Sequence, residues 1–311
     1  MHPGTAATPG KNAPFGYSPN EFRRDNFGRV FSCLDRTKMN AVVSPLAGGY
    51  RLIPADVGIG LCPEHHALVL DRQPQVAWFE VRAETLWGRG DWLRDVVSVG
   101  HDYPLSVHAT GLSLGSVTPP EAGYLRRLSE LVTRLQPDFV SVNPPDLLPL
   151  PYTEETLVSV VRNVTHVQDT LRRQILLDTP FKRLGRPEAA LSEEAFLAEV
   201  VLRTGCGIVL DLHNLHSGAT ALGIDASAAL ERFLEALEPE SITEIHLAVH
   251  NDPGSTVYAA VWELFARTVA AIGPIPTLLE WDTPNPAFEV LQTEAATARS
   301  IMMNSTRHAA T

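Results

Sequence analysis

Residues 207–216 read GIVLDLHNLH, an apolar run that ends in polar side chains. A glycine and three apolar residues, Gly207–Leu210, run directly into the polar residues Asp211 and His213. Such a short apolar run is typical of a buried parallel strand, because a strand covered on both faces needs apolar side chains on both. We therefore predict a strand here that carries Asp211 and His213 at its C-terminal end.

Two later stretches repeat this arrangement. Ser241–His250 reads SITEIHLAVH and Pro276–Asp282 reads PTLLEWD, so each is a short strand-like run that carries a histidine or a carboxylate. The C-terminal ends of neighbouring parallel strands lie at one rim of a barrel. We therefore expect the side chains of Asp211, His246 and Glu280 to converge at that rim.

The rest of the chain from residue 57 alternates between strand-like and helix-like segments. Five more strands are predicted before these three, at Val57–Leu61, Val76–Arg82, Leu105–Gly111, Phe139–Asn143 and Gln174–Thr179. Helices are predicted at Glu64–Leu70, Pro119–Leu135, Thr153–Leu171, Ser192–Thr204, Ala226–Leu237, Val257–Ile272 and Pro286–Ile301. Eight strands alternating with helices over about 245 residues match an α/β fold, the (β/α)8 TIM barrel. A doubly wound sheet is the alternative, but no glycine-rich fingerprint favours it.

Composition divides the chain in two and argues against several functional classes. Residues 1–50 are rich in Pro, Gly, Asn and Arg, so we predict an extended or disordered N-terminal extension before a barrel domain at residues 51–311. A net charge of −11 argues against a nucleic-acid partner and an anionic membrane. No segment has the apolar length of a membrane span or a secretory signal. Three cysteines without a CxxC pair fit a reduced, cytoplasmic protein.

Ionisable or amide side chains lie near the end of every predicted strand. The set is His65, Glu80, Glu84, His108, Asn143, Asp178, Asp211, His213, His246, His250, Glu280 and Asp282. Buried carboxylates and imidazoles are costly unless they are paired, protonated or bound to metal. Histidine and carboxylate ligands without a nearby thiolate suit iron, manganese or zinc, and spacing alone does not choose among these metals.

Several of these residues also have a purely structural interpretation. For Glu80 it is a salt bridge to Arg82, and for His101 it is a position in a surface turn. For His65 and His66 the structural interpretation is a position at the start of a helix. For His216 and His250 it is a hydrogen bond that supports a metal ligand. The metal-binding interpretation is favoured for the three residues on strands six to eight, because they lie on consecutive strands.

Seven motifs, in order, resemble a known family. They are GIGLCPEHH, FEVRAETLWG, YPLSVHATGLSLGS, LPLPYTEETL, RTGCGIVLDLHN, EIHLAVH and TLLEWD. The chain from about Val57 to Ala298 resembles the multinuclear non-heme iron-dependent oxidases. These are TIM barrels that include the oxazolone-forming enzyme of methanobactin biosynthesis and the carbon-excising enzyme of thiaglutamate biosynthesis. The resemblance implies iron- and oxygen-dependent modification of a cysteine, usually in a ribosomally made peptide presented by a companion protein. It also implies the metal ligands His108, Asp211, His246 and Glu280.

The chain departs from the family pattern at several ligand positions. Where the family has Ser-Glu-His after strand four, residues 141–143 read SVN, and its Leu-Glu-Asn on strand five is LDT at 177–179. Its Asp-x-His-Gly after strand seven is NDPG at 251–254, whereas His213 replaces an asparagine and adds a candidate ligand. These losses leave too few ligands for three iron ions. We expect one iron ion, held by Asp211, His246 and Glu280, or two if Asp178 or His213 joins with His108.

Three functions are consistent with these residues. The first is an iron-dependent, oxygen-using oxidase that modifies a cysteine-containing peptide or small molecule in natural-product maturation, with a companion protein that presents the substrate. The second is a non-catalytic barrel that binds a peptide or protein partner. The third is a metal-dependent sugar isomerase or epimerase, because strand-end carboxylates and histidines also serve that chemistry. The order of the motifs argues against the third, and the retained Asp211, His246 and Glu280 favour the first.

Overall fold

All eight predicted strands are present. The computed structural model describes residues 52–88, 90–143, 151–179, 191–249, 257–281 and 286–309. Within these residues the strands are parallel, pair in chain order and close into a barrel in which the last strand pairs with the first. The predicted (β/α)8 TIM barrel is therefore confirmed. The strands are β1 Val57–Gly60, β2 Phe79–Arg82, β3 Leu105–Ala109, β4 Phe139–Val142, β5 Leu176–Asp178, β6 Gly207–Asp211, β7 Ile242–Val249 and β8 Thr277–Trp281.

Helices follow the strands and cover the outside of the barrel. The helices predicted at 153–171 and 192–204 have Thr153 and Ser192 as N-caps, whose hydroxyls accept hydrogen bonds from the backbone N–H groups of Thr156 and Ala195, both at 3.3 Å. These caps satisfy amide groups that the first turn of a helix leaves without partners. The described α-helices are α1 His66–Arg72, α2 Gly90–Asp102, α3 Ala122–Leu135, α4 Glu154–Leu171, α5 Glu193–Thr204, α6 Leu212–Leu222, α7 Ala226–Ala236, α8 Ala259–Ile272 and α9 Phe288–Ala309.

Two of these helices were not predicted. Helix α2 buries Trp92, Val96 and Val99 at helical spacing, but valines lower its helix propensity and weaken the sequence signal. The exposed His101 lies in the last turn of α2, so its assignment to a surface turn was wrong. Helix α6 starts at Leu212, directly after β6, because the carboxylate of Asp211 caps it without an intervening loop.

The strand register determines which side chains meet inside the barrel. Alternate residues of a strand point to the same face, so Glu244 and His246 of β7 share one side. Asp211 of β6 is the register partner of His246, and Arg82 of β2 is the partner of His108 of β3. The residues that alternate with them, such as Phe79, Val107 and Leu210, are buried apolar side chains of the hydrophobic core. The polar groups therefore share one face of the strands, and the apolar residues occupy the other.

The predicted N-terminal extension and its boundary at residue 50 lie outside the described residues, which begin at 52. The extension therefore stays a prediction. Among the described helices, none has the length and hydropathy to cross a membrane.

Candidate metal centre

His246 is the residue around which the site is built. Its side chain is 1% exposed, and both of its ring nitrogens face carboxylates. Nε2 lies 3.2 Å from Oε1 of Glu244, and Nδ1 lies 3.7 Å from Oε2 of Glu280. Burial lowers the pKa of an imidazole, but the hydrogen bond and charge of Glu244 outweigh it, with help from Glu80 and Asp178. The pKa of His246 is therefore raised well above its usual range.

One group of potential ligands, the Asp178 group, consists of Asp178, Asp211 and His246. A ligand atom from each lies within 4.8 Å of the other two. Asp178 is buried, and its Oδ1 has no hydrogen-bond partner among the described residues. Burial, followed by the charge of Asp211, raises the pKa of Asp178 well above its usual range. Asp211 is oriented by Asn214, whose backbone N–H and side-chain amide each donate to it at 2.7 Å.

A second group, the Glu80 group, shares His246 and adds Glu80 and Glu244. Its ligand atoms also lie within 4.8 Å of one another. Glu80 accepts hydrogen bonds from the hydroxyls of Ser106 at 2.8 Å and Ser141 at 3.3 Å. Burial, followed by the charge of Glu244, raises the pKa of Glu80. The proposed salt bridge from Glu80 to Arg82 is therefore wrong: Glu80 bonds to two serine hydroxyls, and Arg82 forms an ion pair with Glu280.

Glu244 was missed by the sequence analysis. It is fully buried, and its Oε2 has no hydrogen-bond partner within the parts of the chain that the structure describes. The signal was present in the motif EIHLAVH, because residues two apart on a strand face the same side. An acid two residues before an inward-facing histidine is itself inward-facing.

Glu280 lies beside His246 but belongs to neither group. Its Oε1 accepts a hydrogen bond from Nη2 of Arg82, and the two form an ion pair. Burial raises the pKa of a carboxyl group, but here the charges of His108 and Arg82 outweigh it, so the pKa of Glu280 is lowered. Its role as a metal ligand stays a prediction.

The two other predicted ligands, His108 and His213, have contacts outside the two groups. Nδ1 of His108 lies 2.7 Å from Oγ of Ser141, and the ring centroids of His108 and His246 are 6.0 Å apart. His213 lies on α6, where its Nε2 is 3.3 Å from Oγ of Ser217 and its ring stacks on Tyr258. Neither histidine belongs to the Asp178 or Glu80 group within the parts of the chain that the structure describes.

Three further strand-end residues have contacts that need no metal. Nδ1 of His65 lies 3.1 Å from Sγ of Cys62, and its Nε2 lies 3.0 Å from the carbonyl oxygen of Pro286. Oε1 of Glu84 accepts from the backbone N–H groups of Thr110 and Gly111, and from the hydroxyl of Tyr124. Nε2 of the neighbouring His66 lies 3.1 Å from Oδ2 of Asp95. His250, Asp282 and residues 251–254 lie outside the described residues.

The donor set fits a divalent cation. Four carboxylates, those of Glu80, Asp178, Asp211 and Glu244, lie in the two groups around one imidazole. Like charges buried together are costly unless protons or a cation neutralise them. The buried oxygens without hydrogen-bond partners on Asp178 and Glu244 are what a cation would ligate. Oxygen and imidazole donors suit iron, manganese or zinc.

Comparison with known proteins identifies the family. A family model described as "RiPP precursor modification enzyme MbnB/TglH/ChrH" matches residues 56–303, where RiPP denotes a ribosomally made and later modified peptide. The chain belongs to this family. The resemblance inferred from the motifs is therefore confirmed, and the chain is related to enzymes that modify precursor peptides.

Relatives described as "UPF0276 protein" agree with membership in the MbnB/TglH/ChrH family. The relative from Chromobacterium violaceum is 38% identical over 270 residues, which are 80% of this chain and 96% of that protein. The relative from Paraburkholderia phytofirmans is 36% identical over 293 residues, which are 86% of this chain and 94% of that protein.

Solved structures support the fold of this family member. Endonuclease IV from Thermus thermophilus matches with a TM-score of 0.56 and 14% identity, covering 80% of this chain and 99% of that one. An L-ribulose 3-epimerase matches with a TM-score of 0.55 and 13% identity, covering 82% and 97%. At such low identity the likeness is one of TIM-barrel architecture.

Proposed function

We propose that the chain is an iron-dependent, oxygen-using oxidase that modifies a cysteine in a ribosomally made precursor peptide. Membership in a family of precursor-modifying enzymes supports the peptide substrate. The observation that carries the metal dependence is the set of buried carboxylates around His246, with unpartnered oxygens on Asp178 and Glu244 among the described residues. A companion protein that presents the substrate, and a cytoplasmic location, are further parts of the prediction.

The Asp178 group would hold the iron. Bound iron supplies a Lewis acid for a substrate thiolate and a source of electrons for dioxygen. Asn214 holds Asp211 through two hydrogen bonds, so this ligand is oriented before any cation arrives. Glu244 faces Nε2 of His246, and a hydrogen bond from Nε2–H would leave Nδ1 free to ligate. Because the pKa of His246 is raised, loading of the site must release a proton from this ring.

One iron ion per chain is favoured over two. The Asp178 and Glu80 groups share His246, so two ions would have to ligate both ring nitrogens of one imidazole. Each of those nitrogens already faces a carboxylate, at 3.2 Å for Glu244 and 3.7 Å for Glu280. A second ion would need further ligands such as His108.

Iron content measured on protein prepared without oxygen tests the metal centre. We expect about one iron ion per chain, and a loss of most of it in Asp178→Asn and His246→Ala, because each removes a ligand of the Asp178 group. The matched control is Glu294→Gln, which changes a buried acid on α9 that accepts a hydrogen bond from the backbone of Val257. Three iron ions per chain would contradict a site that has fewer metal ligands than the family pattern.

Oxygen uptake tests the reaction. Iron-loaded protein should consume dioxygen with a short cysteine-containing precursor peptide encoded beside its gene, and not with the same peptide carrying serine instead. Serine removes the thiol and changes little else, so it isolates the group that we propose reacts. A metal-free but folded chain would instead support the non-catalytic alternative, a barrel that binds a peptide or partner.

A further inference from the structure

A guanidinium group lies where a cation could otherwise contact the site. Arg82, at the end of β2, donates a hydrogen bond from Nη2 to Oε1 of Glu280, near the end of β8. The strand β1 lies between β2 and β8 and pairs with both. Its last residue is Gly60, which has no side chain to separate the pair.

Glu280 is close enough to the centre to be a ligand. Its Oε2 lies 3.7 Å from Nδ1 of His246, a ring that both candidate groups share. Glu280 nevertheless belongs to neither group within the described parts of the chain. Its other oxygen is bonded to Arg82, so the carboxylate is held by a fixed positive charge on one side.

Arg82 cannot give up this charge by losing a proton. A guanidinium stays protonated across the working pH range, unlike the imidazole and carboxyl groups around it. A metal ion bound between Glu280 and His246 would therefore meet a permanent like charge. Such an ion could bind only if Arg82 moved away, and the side chain of Arg82 is 46% exposed, so space for that movement exists on the solvent side.

We propose that Arg82 takes the place of a cation beside Glu280 and so limits how many metal ions the barrel binds. The inference rests on the proposed metal centre but concerns a residue outside both ligand groups. With Arg82 in place, Glu280 is a partner of the arginine and adds no ion. Without Arg82, both oxygens of Glu280 become available to a further ion.

Titration with Mn²⁺ tests this directly, because Mn²⁺ takes the same oxygen and nitrogen ligands and free Mn²⁺ is counted by electron paramagnetic resonance. We expect Arg82→Gln to bind one more Mn²⁺ per chain than the wild type. Arg82→Lys keeps the charge and should bind the wild-type number. The matched control is Arg203→Gln, which removes an arginine that pairs with Glu154 and Glu199 on the outer helices.

Two further variants keep the test decisive if Arg82→Gln folds poorly. Glu280→Gln alone should leave the wild-type number of bound Mn²⁺ unchanged, because Glu280 adds no ion while Arg82 is present. The double variant Arg82→Gln/Glu280→Gln should lose the additional ion. A fall in bound Mn²⁺ in Glu280→Gln, or no gain in folded Arg82→Gln, would overturn the proposal while leaving the metal centre intact. No bound Mn²⁺ in the wild type or in Arg82→Gln would overturn both.

Discussion

At the scale of single residues, Cys62 is a thiol held next to an imidazole. Sγ of Cys62 lies 3.1 Å from Nδ1 of His65, whose Nε2 lies 3.0 Å from the carbonyl oxygen of Pro286. A carbonyl only accepts hydrogen bonds, so Nε2 of His65 is the donor to Pro286. Burial, then the nearby Glu64, raises the pKa of Cys62 to about 11. This cysteine therefore stays protonated at neutral pH.

Alkylation by iodoacetamide measures this pKa. Cys33→Ser and Cys206→Ser together leave Cys62 as the only thiol. We expect its alkylation at pH 7.5 to be about a hundred-fold slower than that of a free cysteine peptide, because only the thiolate reacts. The rate should still rise about tenfold per pH unit at pH 9.5, where the free peptide, with a pKa of about 8.5, has levelled off. A plateau at or below pH 9 would contradict this assignment.

At the scale of one element, the two glycines of β1 differ in the space around them. A Cβ atom added to Gly58 would lie 2.3 Å from ring atoms of Trp78, which is fully buried. The indole cannot shift freely, because its Nε1 donates a hydrogen bond to the carbonyl oxygen of Asp56 at 3.1 Å. A Cβ atom on Gly60, two residues further along, would come no closer than 3.7 Å to the carbonyl oxygen of Leu279.

Two alanine substitutions on the same strand should thus have different effects. Gly58→Ala is expected to lower the free energy of unfolding by about 1–3 kcal/mol, because overpacking forces buried groups to move. Gly60→Ala should leave it unchanged or raise it by about 0.5 kcal/mol through the unfolded state. Urea unfolding measures both. Equal losses of unfolding free energy in the two variants would show that contact with the indole of Trp78 is not what destabilises Gly58→Ala.

At the scale of the whole molecule, the barrel buries four carboxyl groups around a single imidazole in the Asp178 and Glu80 groups. Glu80, Asp178 and His246 all have raised pKa values in the metal-free chain, so the fold holds protons that the unfolded chain releases. Their contribution to stability is complete below the unfolded pKa values and is lost as pH rises through the folded ones. For His246 this loss begins above about pH 6.5, the ordinary value for histidine. Glu280, with a lowered pKa, acts in the opposite direction only at acidic pH.

Thermal unfolding at pH 6 and pH 8 tests this balance. After chelator treatment, the chain should have a higher midpoint at pH 6 than at pH 8. Saturating Mn²⁺ should raise the midpoint more at pH 8, where protons compete less, and would add about 2.7 kcal/mol at a hundred times its Kd. Asp178→Asn should reduce the pH dependence of the metal-free chain. A thermal midpoint of the metal-free chain that rises from pH 6 to pH 8 would contradict the raised pKa values of Glu80, Asp178 and His246.

Much of the barrel and part of the site follow from local sequence. Short apolar runs between turn residues located all eight strands, because a parallel strand covered on both faces must be apolar along its length. The polar residue near the end of such a run was expected to face the rim, which is how Asp211, His246 and Glu280 were chosen. Among the described residues, the first two group with Asp178, and Glu280 belongs to neither group. Helix α2 was not predicted because its valines lower its helix propensity. Helix α6 was not predicted because it begins directly after β6 without a loop.

Tertiary structure alone decided which charges meet. Arg82 and Glu280 are 198 residues apart and sit on strands that approach each other only because the barrel closes through β1. The grouping of Glu80 with Glu244 likewise joins β2 and β7, which are far apart in sequence and are separated in the closed barrel only by β1 and β8. Local sequence determines which face a side chain takes, because strand periodicity is a property of neighbouring residues. The partner across the barrel depends on closure and register, which are set by the packing of the whole chain.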